Sequence, residues 1–289
     1  MNKIRTRFAP SPTGSMHIGN LRTALFAYLI ARHGDGDFIL RLEDTDRERL
    51  VQGAYDEILS VLDWVGLELD ESPTLGGKYG PYIQSERLEI YKKYAQELVN
   101  NGFAYYCFCS QDDLKSEREI GNLSMYSGKC RELDKETVER HLANGDSYVI
   151  RLKVPKSQIL GYTDPLYGNI KFDTNVIDDQ VLIKSDGYPT YHLAVVIDDH
   201  LMGITHIVRG NEYVSSVGKY ILMYKAFGWE MPINIHVPPI LGDNGKKLSK
   251  RKGDVAAKDF RLHGYLPEAL LNFIVLLGWN PGGDVEIMS

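Results

Sequence analysis

The chain has 289 residues, 43% apolar and 25% charged, with a formal net charge of −6. That length is enough for a sizeable core and more than one domain. The acidic balance excludes a global attraction to nucleic acid, so RNA would have to meet local basic patches, and three cysteines, an odd number, exclude a disulfide framework.

IRTRFA (Ile4 to Ala9) alternates apolar and basic residues and reads as a strand, which SPTGSM breaks. The charged start MNKIRTRFAPSP has no apolar run behind it and does not read as a signal peptide. From Ile18 to Arg32, Leu21, Ala24, Leu25, Tyr28 and Leu29 share one helical face, and His33-Gly34 stops the helix. DFILRLED is a dense apolar run of the kind found in a parallel strand buried on both faces. AYDEILSVLDWVGL (Ala54 to Leu67) is again helical by period. This alternation predicts α/β architecture, a doubly wound parallel sheet of Rossmann type, whose first half covers 1–80.

The Pro/Gly loop ESPTLGGKYGPYIQS leads to a helix with Ser85 as its expected cap, Leu88, Tyr91, Ala95 and Leu98 on one face, and Gly102 at its stop. Charged helical stretches and short strands near SYVIRLKVP and DQVLIKSDGYPTYH follow, so 81–189 reads as an α+β insertion. The α/β pattern returns over 190–242 with GITHIVRG, YILMYKAFGW and INIHVPPIL. The last part, 243–289, holds GKKLSKRKGD and a helix near Leu266 to Leu277. The longest apolar run, LLNFIVLLGW from Leu270, is too short to span a membrane, and a cytoplasmic protein is expected.

Two commoner phosphate-binding devices are absent. YSGKC and DNGKKLS lack the upstream glycine of a Walker A loop, and GDGDFI lacks the third glycine of the dinucleotide fingerprint. SPTGSMHIGN offers a different one. A helix start exposes backbone N–H groups and a partial positive charge, and Gly14 and Gly19 let a ligand approach the backbone. His17 and Asn20, three apart, fall on one face if the helix has begun, and both can donate to phosphate oxygens. Taken alone, His17 is more often an ordinary turn histidine.

Between Lys246 and Arg261 stand seven basic residues and two acidic ones, an excess of five positive charges in an acidic chain. Such a run is usually a solvated face. Here Gly245 and Gly253 bracket it, as at the ends of a moving loop, and Lys247 and Lys250 flank Leu248-Ser249. A lysine ~4 Å from a phosphate charge is worth on the order of 4 kcal/mol at intermediate dielectric.

Together, RFAPSPTGSMHIGN and KLSKR resemble the two signature motifs of class I aminoacyl-tRNA synthetases, with Asn20 in the last place of the first. RTALFAYLIAR, RLEDTD, GYPTYHLAVVIDDHLMGITHIVRG and LLGWNPGG narrow the resemblance to the glutamyl-tRNA synthetases, over nearly the whole chain. The resemblance implies ATP with Mg2+ and L-glutamate as substrates, formation of glutamyl-adenylate, and transfer to the 3′ end of tRNA-Glu. It places His17, Asn20, Lys247 and Lys250 in catalysis. Arg7, Ala9, Ser11, Glu43, Tyr191 and Arg209 would hold glutamate; Thr13, Gly14, His17, Gly19, Asn20, Glu212 and Lys250 would hold ATP. Any one of these alone would pass for a plain surface ion pair, usually worth ~0–1 kcal/mol. Cys107, Cys109 and Cys130, with Tyr126 as fourth ligand, resemble a zinc site of some members; three buried reduced cysteines are the other reading.

Val217-Gly218 stands where relatives often carry Thr-Pro, and Val195 where some place a polar substrate contact. Full-length relatives continue into a stem-contact region and an anticodon-binding domain, whereas this chain ends at Ser289. Two alternatives stay open: a short paralogue charging glutamate onto queuosine of tRNA-Asp, and a non-catalytic amino-acid or RNA-binding module. A monomer partnered by the tRNA acceptor end, without membrane contact, is expected.

Overall fold

The computed structural model describes residues 3–121, 125–241, 245 and 256–288. Strands β1 (Arg5–Phe8), β2 (Asp37–Leu40), β8 (His206–Gly210) and β9 (Ile233–Val237) form a sheet in the order β2-β1-β8-β9, all pairs parallel. The chain leaves β1 to one side for β2 and much later occupies the other side with β8. Strand order therefore reverses between β1 and β8, where an open α/β sheet has its crevice, at the carboxyl ends of the strands.

Both sheet faces are covered, as the dense apolar strands require. Phe8, Phe38, Leu40, Val208 and Val237 pack on one face with helices α1 (Ile18–His33), α2 (Ala54–Trp64) and α9 (Pro267–Leu276). Ile39 and Ile207 join Tyr82, Met202 and Ile204 on the other. The alternation in β1 accordingly reflects two buried faces: Arg5 and Arg7 are as buried as Thr6 and Phe8. Arg22 of α1 donates to the Leu277 carbonyl (2.9 Å) and to that of Pro238, tying the end of α9 to the chain beyond β9.

A second core belongs to the middle of the chain. Helix α3 (Leu88–Asn100) packs on the antiparallel sheet β3-β4-β7, made of Ala104–Cys107, Val149–Leu152 and Val181–Ile183. The same apolar cluster takes in α6 (Tyr191–Leu201) and α7 (Val217–Phe227), so the inserted segment and the returning α/β segment share one core. Helices α4 (Gln111–Gly121) and α5 (Lys135–Ala143) lie between β3 and β4 in the chain.

Two details depart from the sequence reading. Ser85 does not cap α3. Its hydroxyl and backbone N–H both donate to Asp44 (2.6 and 2.8 Å), and a 3-10 turn, Gln84–Arg87, leads into the helix. Asp44 competes successfully for the serine because it is nearly buried and needs donors. Second, an antiparallel hairpin, β5 (Ile159–Asp164) and β6 (Gly168–Asp173), falls where no strand was expected. Much of it faces solvent, so its apolar residues are sparse and the period-2 signal is weak.

Helix α8 (Ala257–Leu262) follows the lysine-rich run, whose residues Lys247 and Lys250 lie outside the described residues. No helix among the described residues is long and apolar enough to cross a membrane.

Candidate active site

A cleft of about 1110 Å³ opens at the switch point. Arg7, Ala9 and Ser11 line it from the end of β1, Glu43 from beyond β2, and Arg209 and Glu212 from the end of β8. Thr13, His17, Gly19 and Asn20 line it from the loop and helix start that follow β1, and Tyr191 from the first turn of α6. Gly14 sits in the same loop without lining the cleft; its φ of 137° is one that side chains rarely adopt. The residues singled out from sequence thus converge, apart from Gly14 and the two lysines outside the described residues.

His17 is the cap of α1 rather than part of its first turn. Its Nδ1 accepts from the Gly19 N–H (2.9 Å), so the neutral ring carries its proton on Nε2, a hydrogen-bond donor. A Cβ on residue 19 would lie 3.1 Å from that Nδ1, tighter than ordinary contact. Asn20 occupies the third helical position, exposed at the cleft. The helix has no acidic residue in its first turn, which leaves its partial positive charge to an anion.

Arg7 and Glu43 of the cleft lining belong to a buried charge network. Arg41, fully buried, donates to Glu43 (2.9 Å) and pairs with Asp199 (2.8 Å) and Asp198 (3.7 Å). Arg7 pairs with Asp199 through Nε (3.1 Å), and Arg87 with Asp198 (2.8 Å). Gln84 and Tyr91 complete the hydrogen bonds of Asp198. Burial pushes the Glu43 carboxyl above the usual carboxylate range despite Arg41 and Arg7. Burial also pushes Asp199 up, but the two arginines outweigh it and hold Asp199 below that range.

Arg209 stands apart. It is 6% exposed, yet among the described residues it forms no ion pair. Its Nη2 donates to the Asn234 side-chain oxygen, while Nε and Nη1 have no partner. Its guanidinium lies over the rings of Tyr220 (4.7 Å) and Tyr213 (5.7 Å). Arg7, Arg41 and Arg87 thus share Glu43, Asp198 and Asp199 among themselves, and Arg209 is a further buried guanidinium outside those pairs. A buried cation without a counter-charge is costly, and an anionic ligand at this end of the cleft would relieve that cost.

Arg41, Arg87, Asp198, Asp199 and Asn234 were not singled out from sequence. A signal existed: two consecutive aspartates in the otherwise apolar helix AVVIDDHL mark carboxylates that need buried partners.

Elsewhere, Cys107, Cys109 and Cys130 gather with all three sulfurs within 4.8 Å of one another. The Tyr126 hydroxyl lies 3.4 Å from the Cys107 sulfur and 3.6 Å from that of Cys109, and accepts from the Cys130 N–H (2.9 Å). Hydrogen bonding with Cys130, against the opposing effect of burial, and with Tyr126 holds the Cys107 thiol well below the ordinary thiol range. Tetrahedral zinc with sulfur ligands at ~2.3 Å needs sulfurs ~3.8 Å apart; the sulfurs of Cys109 and Cys130 stand 3.5 Å apart, and that of Cys107 lies within 4.8 Å of both.

A parallel sheet with a polar crevice at its switch point and a histidine-capped helix N-terminus beside it defines a nucleotide-binding α/β protein of the class I synthetase type. Residues 3–289 match the family described as tRNA synthetases class I (E and Q), catalytic domain, and the chain belongs to that family. It is 56% identical over 292 residues to the glutamate–tRNA ligase of Clostridium botulinum strain Hall, and 56% over 293 residues to that of Clostridium kluyveri. All of this chain is covered in both matches, but only 60% of each relative. Among solved structures, a glutamate tRNA ligase from Elizabethkingia meningosepticum in complex with its amino acid superimposes with a TM-score of 0.94 at 42% identity, covering 100% of this chain and 63% of that one. A methionyl-tRNA synthetase from Mycobacterium tuberculosis (TM-score 0.53, 11% identity) shares the fold.

Proposed function

We propose that the cleft activates L-glutamate with ATP and passes it to the 3′ end of tRNA-Glu. The observation that carries this is Arg209, a buried cation at the end of β8 that forms no ion pair among the described residues and keeps two guanidinium nitrogens without a partner. A substrate side-chain carboxylate supplies that charge, whereas the neutral amide of glutamine does not. Glu43, with Tyr191 beside it, receives the substrate ammonium, and Ala9 and Ser11 hold its backbone end. Arg7 is already engaged by Asp199 and contributes positive field at the α-carboxylate.

In the first step an oxygen of the α-carboxylate attacks the α-phosphorus of ATP. The bond from that phosphorus to the bridging oxygen breaks, and pyrophosphate leaves with the electron pair. No protein nucleophile is required, so positioning and charge stabilisation supply the rate. His17, through Nε2–H, and Asn20 hold phosphate oxygens at the start of α1, with Thr13, Gly14 and Gly19 forming the backbone floor and Glu212 on the opposite rim. Mg2+ bound with ATP would neutralise phosphate charge. Lys247 and Lys250 act from the segment that ends at Ala256, where the backbone bridges to His17. The terminal ribose hydroxyl oxygen of the tRNA then attacks the glutamyl carbonyl carbon and gives up its proton; the bond from that carbon to the phosphate oxygen breaks, and AMP leaves with the electron pair. We assign a structural Zn2+ to Cys107, Cys109, Cys130 and Tyr126.

Glutamate-dependent exchange between ATP and pyrophosphate, with and without tRNA-Glu, tests this reading. Exchange that depends on glutamate supports it. Absence of both exchange and glutamate binding would remove it.

A further inference from the structure

Asn234 lies on β9, 1% exposed, opposite Ile207 of β8. Every polar group of this residue is committed. The side-chain nitrogen donates to the Pro232 carbonyl (2.8 Å), which fixes the amide so that its oxygen accepts from Arg209. The backbone N–H donates to the Tyr162 hydroxyl (2.8 Å), and that hydroxyl donates to the Asn234 carbonyl. Tyr162 belongs to the β5–β6 hairpin, so a hairpin of the inserted segment clamps the residue that holds Arg209.

We propose that Asn234 is a specificity-determining residue: it orients Arg209 with a neutral oxygen and so leaves the guanidinium charge for an acidic substrate side chain. The inference rests on the reading that Arg209 receives the side chain of glutamate. An amide is the one group of this shape that can donate to Pro232 and accept from Arg209 without adding charge. A carboxylate in its place would put the counter-ion inside the protein. Asp199, the acid of the network whose charge acts on Arg209, is already shared between Arg7 and Arg41.

The test is calorimetric titration of the chain with L-glutamate, L-glutamine and ATP, for wild type, Asn234→Asp, Asn234→Ala and Tyr162→Phe. In Asn234→Asp the preference for glutamate over glutamine should fall by about tenfold or more, with ATP affinity unchanged. Asn234→Ala should keep the preference, because Arg209 stays uncompensated, but bind glutamate more weakly. Tyr162→Phe should weaken glutamate binding to a smaller degree and leave ATP alone. The proposal is overturned if Asn234→Asp folds and keeps the full preference, or if it loses ATP and glutamate alike. Should that variant not fold, an unaltered glutamate affinity in Asn234→Ala overturns it as well. A wild-type chain that binds glutamate and glutamine equally would defeat the reading of Arg209 itself, before any variant is made.

Discussion

Lys258 donates to the Glu57 carboxylate at 2.9 Å, and the same carboxylate accepts from the Ser15 hydroxyl and the Met16 N–H, each at 3.3 Å. Ser15 and Met16 immediately precede the cap of α1, and Lys258 opens the helix that follows the lysine-rich run. The Ala257 N–H also donates to the Met16 carbonyl (2.8 Å). One acidic residue of α2 therefore joins the two signature segments at their roots.

Glu57 carries a sign that can be checked. Burial pushes its carboxyl up, but Lys258, Ser15 and Met16 outweigh burial and hold it below the usual range. A depressed carboxylate contributes stability above its unfolded pKa, and that contribution is lost as pH falls through the folded value. Glu57→Gln should lower the melting temperature at pH 7, by an amount consistent with about 1 kcal/mol or less for a partly exposed pair. The gap between variant and wild type should begin to narrow as pH drops below about 4.5 and close as it falls further. A gap that stays constant over that range would contradict the assignment.

Arg209→Met should abolish most glutamate affinity while sparing ATP. Losing charged hydrogen bonds to a carboxylate corresponds to ~1.5–3 kcal/mol, or roughly 10- to 150-fold in affinity. Titration with both ligands checks it; equal losses for the two would instead mean a collapsed cleft.

His236 and Asp164 predict an acid sensitivity. Both side chains are wholly buried, with His236 Nδ1 donating to the carboxylate at 2.6 Å and Nε2 left without a partner. A second proton would bury an unsatisfied donor, so burial lowers the histidine below its ordinary value even beside Asp164. The unfolded chain therefore binds a proton in mildly acid solution that the folded chain refuses, and stability falls as pH drops below about 6.5. The slope from this one group approaches ~1.4 kcal/mol per pH unit between the two values. Denaturant unfolding across pH 5–7 should show a shallower slope in His236→Gln; an unchanged slope would mean that His236 is charged in the folded state.

Cys109→Ser should reduce zinc content without unfolding the sheet of α/β type, since the cysteines sit in a small cluster apart from both main cores. Elemental analysis of protein purified without chelator reads this directly. No zinc in the wild-type chain would remove the metal assignment, leaving three reduced thiols packed with Tyr126.

The sequence made much of the site legible because its residues lie in short contiguous runs. SPTGSMHIGN carries a turn, a cap and a helix start in ten residues, and each has a local physical cause. What escaped was non-local. Arg209 is identifiable as a basic residue at a strand end, but that it forms no ion pair among the described residues depends on which acids the fold gives to Arg7, Arg41 and Arg87. Asn234 gave no sign at all, since its importance comes from Tyr162, 72 residues away, and from the Pro232 carbonyl. Ser85 misled for a related reason: local capping chemistry was outcompeted by Asp44 across 41 residues.

Gly218, on the first turn of α7, has no room for a side chain: a Cβ there would lie 2.8 Å from Ile177 and 3.1 Å from Phe172. Phe172 is on β6, in the same hairpin that carries Tyr162 and Asp164. The hairpin is thus seated on α7 and β9 at once, by a tight apolar joint on one side and by two polar latches on the other. It behaves as a keystone of the parallel-sheet part, although in chain order it falls within 81–189. A chimera that exchanged the insertion wholesale would carry this keystone away with it. Only an exchange whose seams leave 159–173 with the parent sheet should preserve the setting of Arg209 in the cleft.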